Sequence, residues 1–219
     1  MPSATPLKAV LLDNDGVLAD TEELYFRACR DTVAERGLTL TLAEYQEVSL
    51  RRGASTIDFA ARGTLPAAEL AALKRRRDDV YLAMLEAAAE AREGAGAMLA
   101  ALHGRVALAV VTAAHRPHFD AIHRRTGFAR YFDFVLTQED CPVSKPHPGP
   151  YLAALARGGW AARDCVVVED TERGLAAARG AGLRCFAVPC GPSVGGAFLG
   201  AEAVLPSLDA LTPRLLSLI

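Results

Sequence analysis

Asparagine is almost missing from this chain. Among 219 residues only position 14 is Asn, and Gln stands only at 46 and 138. Lysine is nearly as scarce, found only at 8, 74 and 145, so arginine carries almost all of the positive charge. The formal net charge is −2. That balance gives no basic footprint for nucleic acid and no attraction to an anionic membrane surface. No apolar stretch approaches the roughly 20 residues needed to cross a bilayer. The opening "MPSATPLKAV" lacks the basic-then-apolar order of a signal peptide. The five cysteines (29, 141, 165, 185 and 190) show no CxxC spacing, and Cys165 and Cys185 lie in apolar runs. They read as reduced thiols packed as small hydrophobes, and the expected location is the cytoplasm.

What is present is a rhythm. Short β-rich runs recur at 9–12, 106–111, 134–136, 165–168 and 185–188. They are continuously apolar rather than alternating, as strands buried on both faces of a parallel sheet must be. Helical stretches at 115–126, 148–157 and 172–181 lie between the later ones. The expected fold is α/β, a doubly wound, Rossmann-like parallel sheet. One gap breaks the rhythm. From 16 to 105 no convincing strand occurs, and Ala/Leu/Glu/Arg-rich helical stretches fill the space at about 22–36, 42–50, 55–62 and 67–91. That is too much helix for one crossover, so an inserted helical subdomain is expected over residues 19–91, with residues 1–18 and 92–219 forming the core.

In an open α/β sheet ligands bind beyond the carboxyl ends of the strands. Here the first run ends in Asp13 and Asp15, the second in Thr112 followed by Ala113, and the fourth in Glu169 and Asp170, while Lys145 lies in the loop "SKPHPGP" after the third. A mere turn explains one aspartate before Gly16, and two less well. Several carboxylates, a hydroxyl and an ammonium converging on one edge suit phosphoryl transfer. An anionic ester approached by a carboxylate needs a cation between them, and Asp13 and Asp170, with a backbone oxygen near Asp15, suit Mg²⁺. Asp13 is placed to attack and form an aspartyl phosphate, Asp15 to move the proton, and Thr112, Lys145 and loop amides to hold the equatorial oxygens.

At these residues the chain resembles the haloacid dehalogenase superfamily, in the branch with a helical cap inserted after the first motif. "DNDGVLADTEEL", "VVTAA" (110–114), "SKPHPGPY" and "VVVEDTERGLAAARGAG" (166–182) match its four motifs in order. The resemblance implies Asp13 as nucleophile and Asp15 as acid/base. It implies phosphate held by Thr112, Ala113, Lys145 and the Asn14 segment, and Mg²⁺ held by Asp13, Asp15 and Asp170 with help from Glu169. The superfamily's dehalogenases lack the second aspartate and need no metal, which argues against dehalogenation here. Two departures stand out. Gly149 replaces a usual Asp after "KPHP". Tyr25 stands where the β-phosphoglucomutase branch has a histidine, and a phenol is a poor substitute near neutral pH.

The expected activity is therefore a Mg²⁺-dependent phosphatase for a small phosphorylated metabolite, by resemblance a sugar phosphate, working as a monomer or simple homodimer. A phosphosugar mutase and a non-enzymatic phospho-ligand-binding protein are the alternatives. Within the insertion, "RRGAS" (51–55) resembles the family's specificity loop, making Arg51 and Arg52, with Tyr25, the expected substrate contacts. "KRRRDD" (74–79) reads as a solvated helix face from which one Arg could reach substrate, and His115, His118 and His123 as a solvated helix start.

Overall fold

A computed structural model of the chain describes residues 6–219; the first five residues, part of the expected core segment, lie outside that range. Six strands form one sheet: β1 (Ala9–Leu12), β2 (Ala107–Val111), β3 (Phe134–Leu136), β4 (Cys165–Glu169), β5 (Arg184–Ala187) and β6 (Ala203–Val204). Their order is β3-β2-β1-β4-β5-β6, and every pairing is parallel. Leu12 stands opposite both Val110 and Val168. The next residue, Asp13, is thereby carried to the sheet's carboxyl edge between β2 and β4, and its N–H still donates to Val168 O at 3.0 Å.

Both faces of the sheet are covered, which is why its strands are apolar at successive positions. Val10 and Leu12 point into a core built with α5 (Ala95–Leu102) and α9 (Leu208–Leu216). Ala9 and Leu11 point the other way, against α7 (Gly149–Gly158) and α8 (Glu172–Gly180). Neither α5 nor β6 nor α9 was expected. The α5 segment, "AGAMLAAL", is apolar almost throughout and so shows no amphipathic period, β6 is two residues long, and Pro213 interrupts the α9 pattern.

Between β1 and α5 the chain forms α1 (Glu22–Ala34), α2 (Leu42–Tyr45), a π-helical turn (Gln46–Arg51), α3 (Thr56–Ala61) and α4 (Ala67–Ala88). These helices have their own core of Phe26, Cys29, Val33, Tyr45, Ile57 and Leu73. The chain enters and leaves them side by side: Asp20 N–H donates to Glu90 O, and Arg92 N–H to Leu18 O, both at 3.0 Å. A second contact comes from Tyr81 and Leu85 of α4, which pack on Ala121 and Ile122 of α6 (Arg116–Thr126). Among the described residues no helix is long and apolar enough to cross a membrane.

Leu85 is fully buried where α4 meets α6. Leu85→Ala should lower the unfolding free energy by about 2–5 kcal/mol, as a cavity left in a well-packed contact does; urea denaturation would measure it.

Candidate active site

The carboxyl edge of the sheet opens into a cavity of about 120 Å³ under the inserted helices. Asp13, Asp15, Thr112, Ala113 and Lys145 line its floor. Glu22, Tyr25, Arg77, Asp78 and Tyr81 line it from α1 and α4, His115 and His118 from the start of α6, and Arg173 from α8.

Lys145 is the centre of the floor and is only 3 % exposed. Its ammonium donates to Val111 O at 2.8 Å and to Glu169 Oε1 at 2.6 Å, and lies 3.0 Å from Asp13 Oδ1. Burial works against its charge, but the Asp13 and Glu169 carboxylates outweigh burial and raise its pKa. Glu169 also accepts from the Tyr151 hydroxyl at 2.6 Å and from Thr171 Oγ1 at 3.3 Å. Its carboxylate lies against Gly174, where any Cβ would overlap it. That is why α8 begins with a glycine in its first turn.

Asp15 is held by its oxygens. Thr21 Oγ1 and Tyr81 OH donate to Oδ1 at 2.6 and 2.7 Å, while Asn14 Nδ2 and Thr112 Oγ1 stand 3.2 and 3.5 Å from Oδ2. Thr112 Oγ1 also accepts the Ala114 N–H at 3.0 Å, so the turn after β2 fixes the hydroxyl at the cavity floor.

Beside Lys145 the floor carries surplus negative charge. One oxygen each from Asp13, Glu169 and Asp170 lie within 4.8 Å of one another, all three residues buried. Among the described residues, both Asp170 carboxylate oxygens are buried without a hydrogen-bond partner. Burial, reinforced by Glu169, pushes Asp13 up to about 7 despite Lys145, and burial with Glu22 and Asp13 raises Asp170 well above the usual range. Orphaned carboxylate oxygens beside an anionic neighbour are the donor set a hard divalent cation takes. The residues therefore fit such an ion, with Asp13 and Asp170 contributing oxygens. Glu169, the third member of that cluster, is also held by Lys145 and Tyr151, and the Asp15 carboxylate is occupied by Thr21, Tyr81 and Asn14.

Several expected residues sit elsewhere. Arg51 and Arg52 do not line the cavity. Both are exposed and pair with Glu47 inside the π turn, and Arg51 also reaches Glu172 at 2.9 Å. What the "RRGAS" break brings to the core is Gly53, whose φ of +65° seats its backbone against the Lys145 carbonyl. Asn14 is fully buried, and its side chain lies between Asp15 and His123 rather than facing the cavity. Two of the three histidines are not part of a solvated helix start: His118 and His123 are each 5 % exposed, because α6 turns that face onto α4 and the core, and His118 Nε2 meets Asp78 O at 3.1 Å, whereas His115, just before α6, is half-exposed and pairs with Glu139. Tyr25 does face the cavity, with the Arg77 guanidinium 5.2 Å above its ring. Gly149 begins α7, where an added Cβ would come within 2.6 Å of Val143.

Glu22, Arg77 and Arg173 are cavity residues that the sequence did not single out. Glu22 accepts from the Tyr45 hydroxyl at 2.9 Å, and burial pushes it up to about 6. Arg77 is paired with Asp78 at 2.8 Å, its side chain only 13 % exposed, unlike its neighbour Arg76, which pairs at the surface with Glu35. Arg173 lies inside the fourth motif, three residues after Asp170, and that place is the one sequence signal that could have found it.

The sequence model of the haloacid dehalogenase-like hydrolases matches residues 7–182. The chain is 31% identical to Protein CbbY of Rhodobacter capsulatus, over 93% of this chain and 95% of that one. It is 30% identical to the fructose-1-phosphate phosphatase YqaB of Escherichia coli, over 80% and 92%. The crystal structure of CbbY from Rhodobacter sphaeroides in complex with phosphate superposes with a TM-score of 0.80 at 29% identity, covering 94% of this chain and 96% of that one. A mutant of that protein has been solved with xylulose-(1,5)bisphosphate.

The cation cradle can be tested without a substrate. Gly16 has φ +74°, and a Cβ there would overlap the Asp170 carboxylate. Gly16→Ala should weaken Mg²⁺ binding about tenfold or more, given the cost of a strained backbone and a displaced ligand; isothermal titration calorimetry would read it.

Proposed function

This chain belongs to the haloacid dehalogenase-like hydrolase family, and on that premise we propose that it is a Mg²⁺-dependent phosphatase acting on a small sugar phosphate through an aspartyl-phosphate intermediate. The observation that carries the reading is the arrangement at the sheet edge: Asp13 beside the buried Lys145 ammonium, two partnerless oxygens on Asp170, and Asp15 two residues on. Asp13 and Asp170 would hold Mg²⁺, which would supply the positive charge that lets an anionic ester approach an anionic nucleophile.

The protein's own residues do the rest. Asp13 attacks phosphorus, and the bond from phosphorus to the ester oxygen breaks. Asp15 gives its proton to that departing oxygen. Lys145, Thr112 and the amides after it hold the equatorial oxygens as charge moves onto them. A water then attacks the phosphoaspartate, Asp15 takes its proton, and the bond between phosphorus and Asp13 breaks to release phosphate. The helices of residues 19–91 act as the cap that covers this chemistry and selects the substrate.

Two features favour a sugar phosphate, and one with a second anionic group. Arg77 and Arg173 line the same cavity as the acidic floor. A structural relative binds a sugar bisphosphate. Tyr25 supports hydrolysis over transfer within the substrate: burial raises its phenol above its ordinary range, so it cannot exchange protons near neutral pH as the histidine of a mutase would.

Two experiments test this. Phosphate release should be measured from fructose 1-phosphate, xylulose and ribulose bisphosphates, phosphoglycolate and a nucleotide, with Mg²⁺ or with chelator. Release should need Mg²⁺ and fall by at least ~10³-fold in Asp13→Asn, which removes the nucleophile; substrate rearranged without phosphate release would instead support a mutase. In the second, Arg77→Ala should raise KM for the best bisphosphate about tenfold or more while leaving kcat within a few-fold, the pattern of lost ground-state binding.

A further inference from the structure

We propose that His123 is a positioning residue for catalysis, acting on the acid/base Asp15 through the buried amide of Asn14; the catalytic side of this rests on the phosphatase reading above.

The argument is one of donors and acceptors. The Asn14 amide nitrogen stands 3.2 Å from Asp15 Oδ2 and donates to it, since an amide NH₂ only donates. The amide oxygen then faces His123 Nε2, 2.8 Å away, and requires a proton there. Burial lowers the His123 pKa to about 4, so the ring is neutral and carries one proton only. With that proton on Nε2, Nδ1 is bare and accepts from the Thr126 hydroxyl at 3.0 Å. The chain of donors thus runs one way, from Thr126 to His123 to Asn14 to Asp15.

The ring that anchors it cannot turn. His123 packs 4.2 Å from the Phe119 ring and edge-on to Phe132 at 5.5 Å, in the last turn of α6, before the left-handed Gly127 that ends the helix. The two sides of Asp15 are held by different parts of the molecule. Oδ1 takes donors from Thr21, which precedes α1, and from Tyr81 in α4, both in the inserted segment. On Oδ2 the nearer donor is Asn14, and its support through His123 comes from the α/β core alone. A carboxyl group that must first give and then take a proton along one line needs its plane fixed, and the core-side contact fixes it whatever the inserted helices do.

The test uses His123→Leu, His123→Gln and Asn14→Leu, with melting temperature, kcat and KM measured on the best substrate of the panel above. In His123→Leu and Asn14→Leu, kcat should fall roughly tenfold or more with KM within a few-fold, the size expected for one lost hydrogen bond to a charged group. His123→Gln, whose amide nitrogen can stand where Nε2 stood, should recover most of the loss. Nitrogen NMR of the wild-type imidazole should show the proton on Nε2 and a bare Nδ1, a readout that needs no turnover and survives if the variants fail to fold. The opposite tautomer or a doubly protonated ring, full kcat in a folded His123→Leu, or Gln no better than Leu would each overturn the proposal. A wild-type protein that releases no phosphate would overturn the phosphatase reading and the catalytic role with it; an active protein with the wrong tautomer overturns this inference alone.

Discussion

A fully charged ammonium can stay buried only where anions and a carbonyl surround it, and Lys145 sets that condition for the whole sheet edge. It takes Glu169, Asp13 and the Val111 carbonyl as partners, one from each of three adjacent strand ends. Glu169, itself unexposed, then needs Tyr151 and Thr171 to satisfy its oxygens, and the close packing of its carboxylate forces glycine at 174. A chain of local requirements thus follows from one lysine. None of it forms unless β1, β2 and β4 pair in the register that sets Leu12 opposite Val110 and Val168.

The same count leaves the floor anionic. Asp13, Glu169 and Asp170 face one ammonium, and among the described residues Asp170 has no hydrogen-bond donor. A protein that wanted only stability would replace the orphaned carboxylate with an apolar residue of similar size. Keeping it makes sense where a cation and an anionic ester complete the set in turn. Arg77 and Arg173 line the same cavity, so positive side chains stand within it as well as the acidic cluster.

How much of this could be read from the sequence depends on where the information resides. Strand ends are legible because buried parallel strands are short apolar runs, and the polar residues that stop them stand out; Asp13, Asp15, Thr112, Glu169 and Asp170 were visible for that reason. Lys145 was visible because lysine is rare here and its loop is punctuated by prolines. The cap contacts were not legible, because a run such as "KRRRDD" gives no sign of which side chain the helix rotates inward; only Arg77 of its arginines lines the cavity, while Arg76 pairs at the surface with Glu35. "RRGAS" misled in the other direction. Its glycine does approach the core, but Glu47, earlier in the same turn, draws both arginines to the surface. His118 and His123 misled for a related reason: polarity suggested water, whereas the parts of α6 that carry them are covered by neighbouring helices and rings, and only His115 at the start stays half-exposed.

The lone asparagine falls outside that pattern, since it is legible as an oddity and explained only by its neighbours. Position 14 must satisfy two demands at once, a donor toward Asp15 and an acceptor toward His123. An aspartate there would add a third carboxylate to a segment that already holds Asp13 and Asp15, and would offer no proton to Asp15. A leucine would suit the burial and leave the His123 N–H without a partner, a cost of order 1–3 kcal/mol for a buried polar group. An amide donates at one end, accepts at the other and brings no charge. In a chain that otherwise avoids asparagine, the two contacts of this buried side chain account for the single place where it is kept.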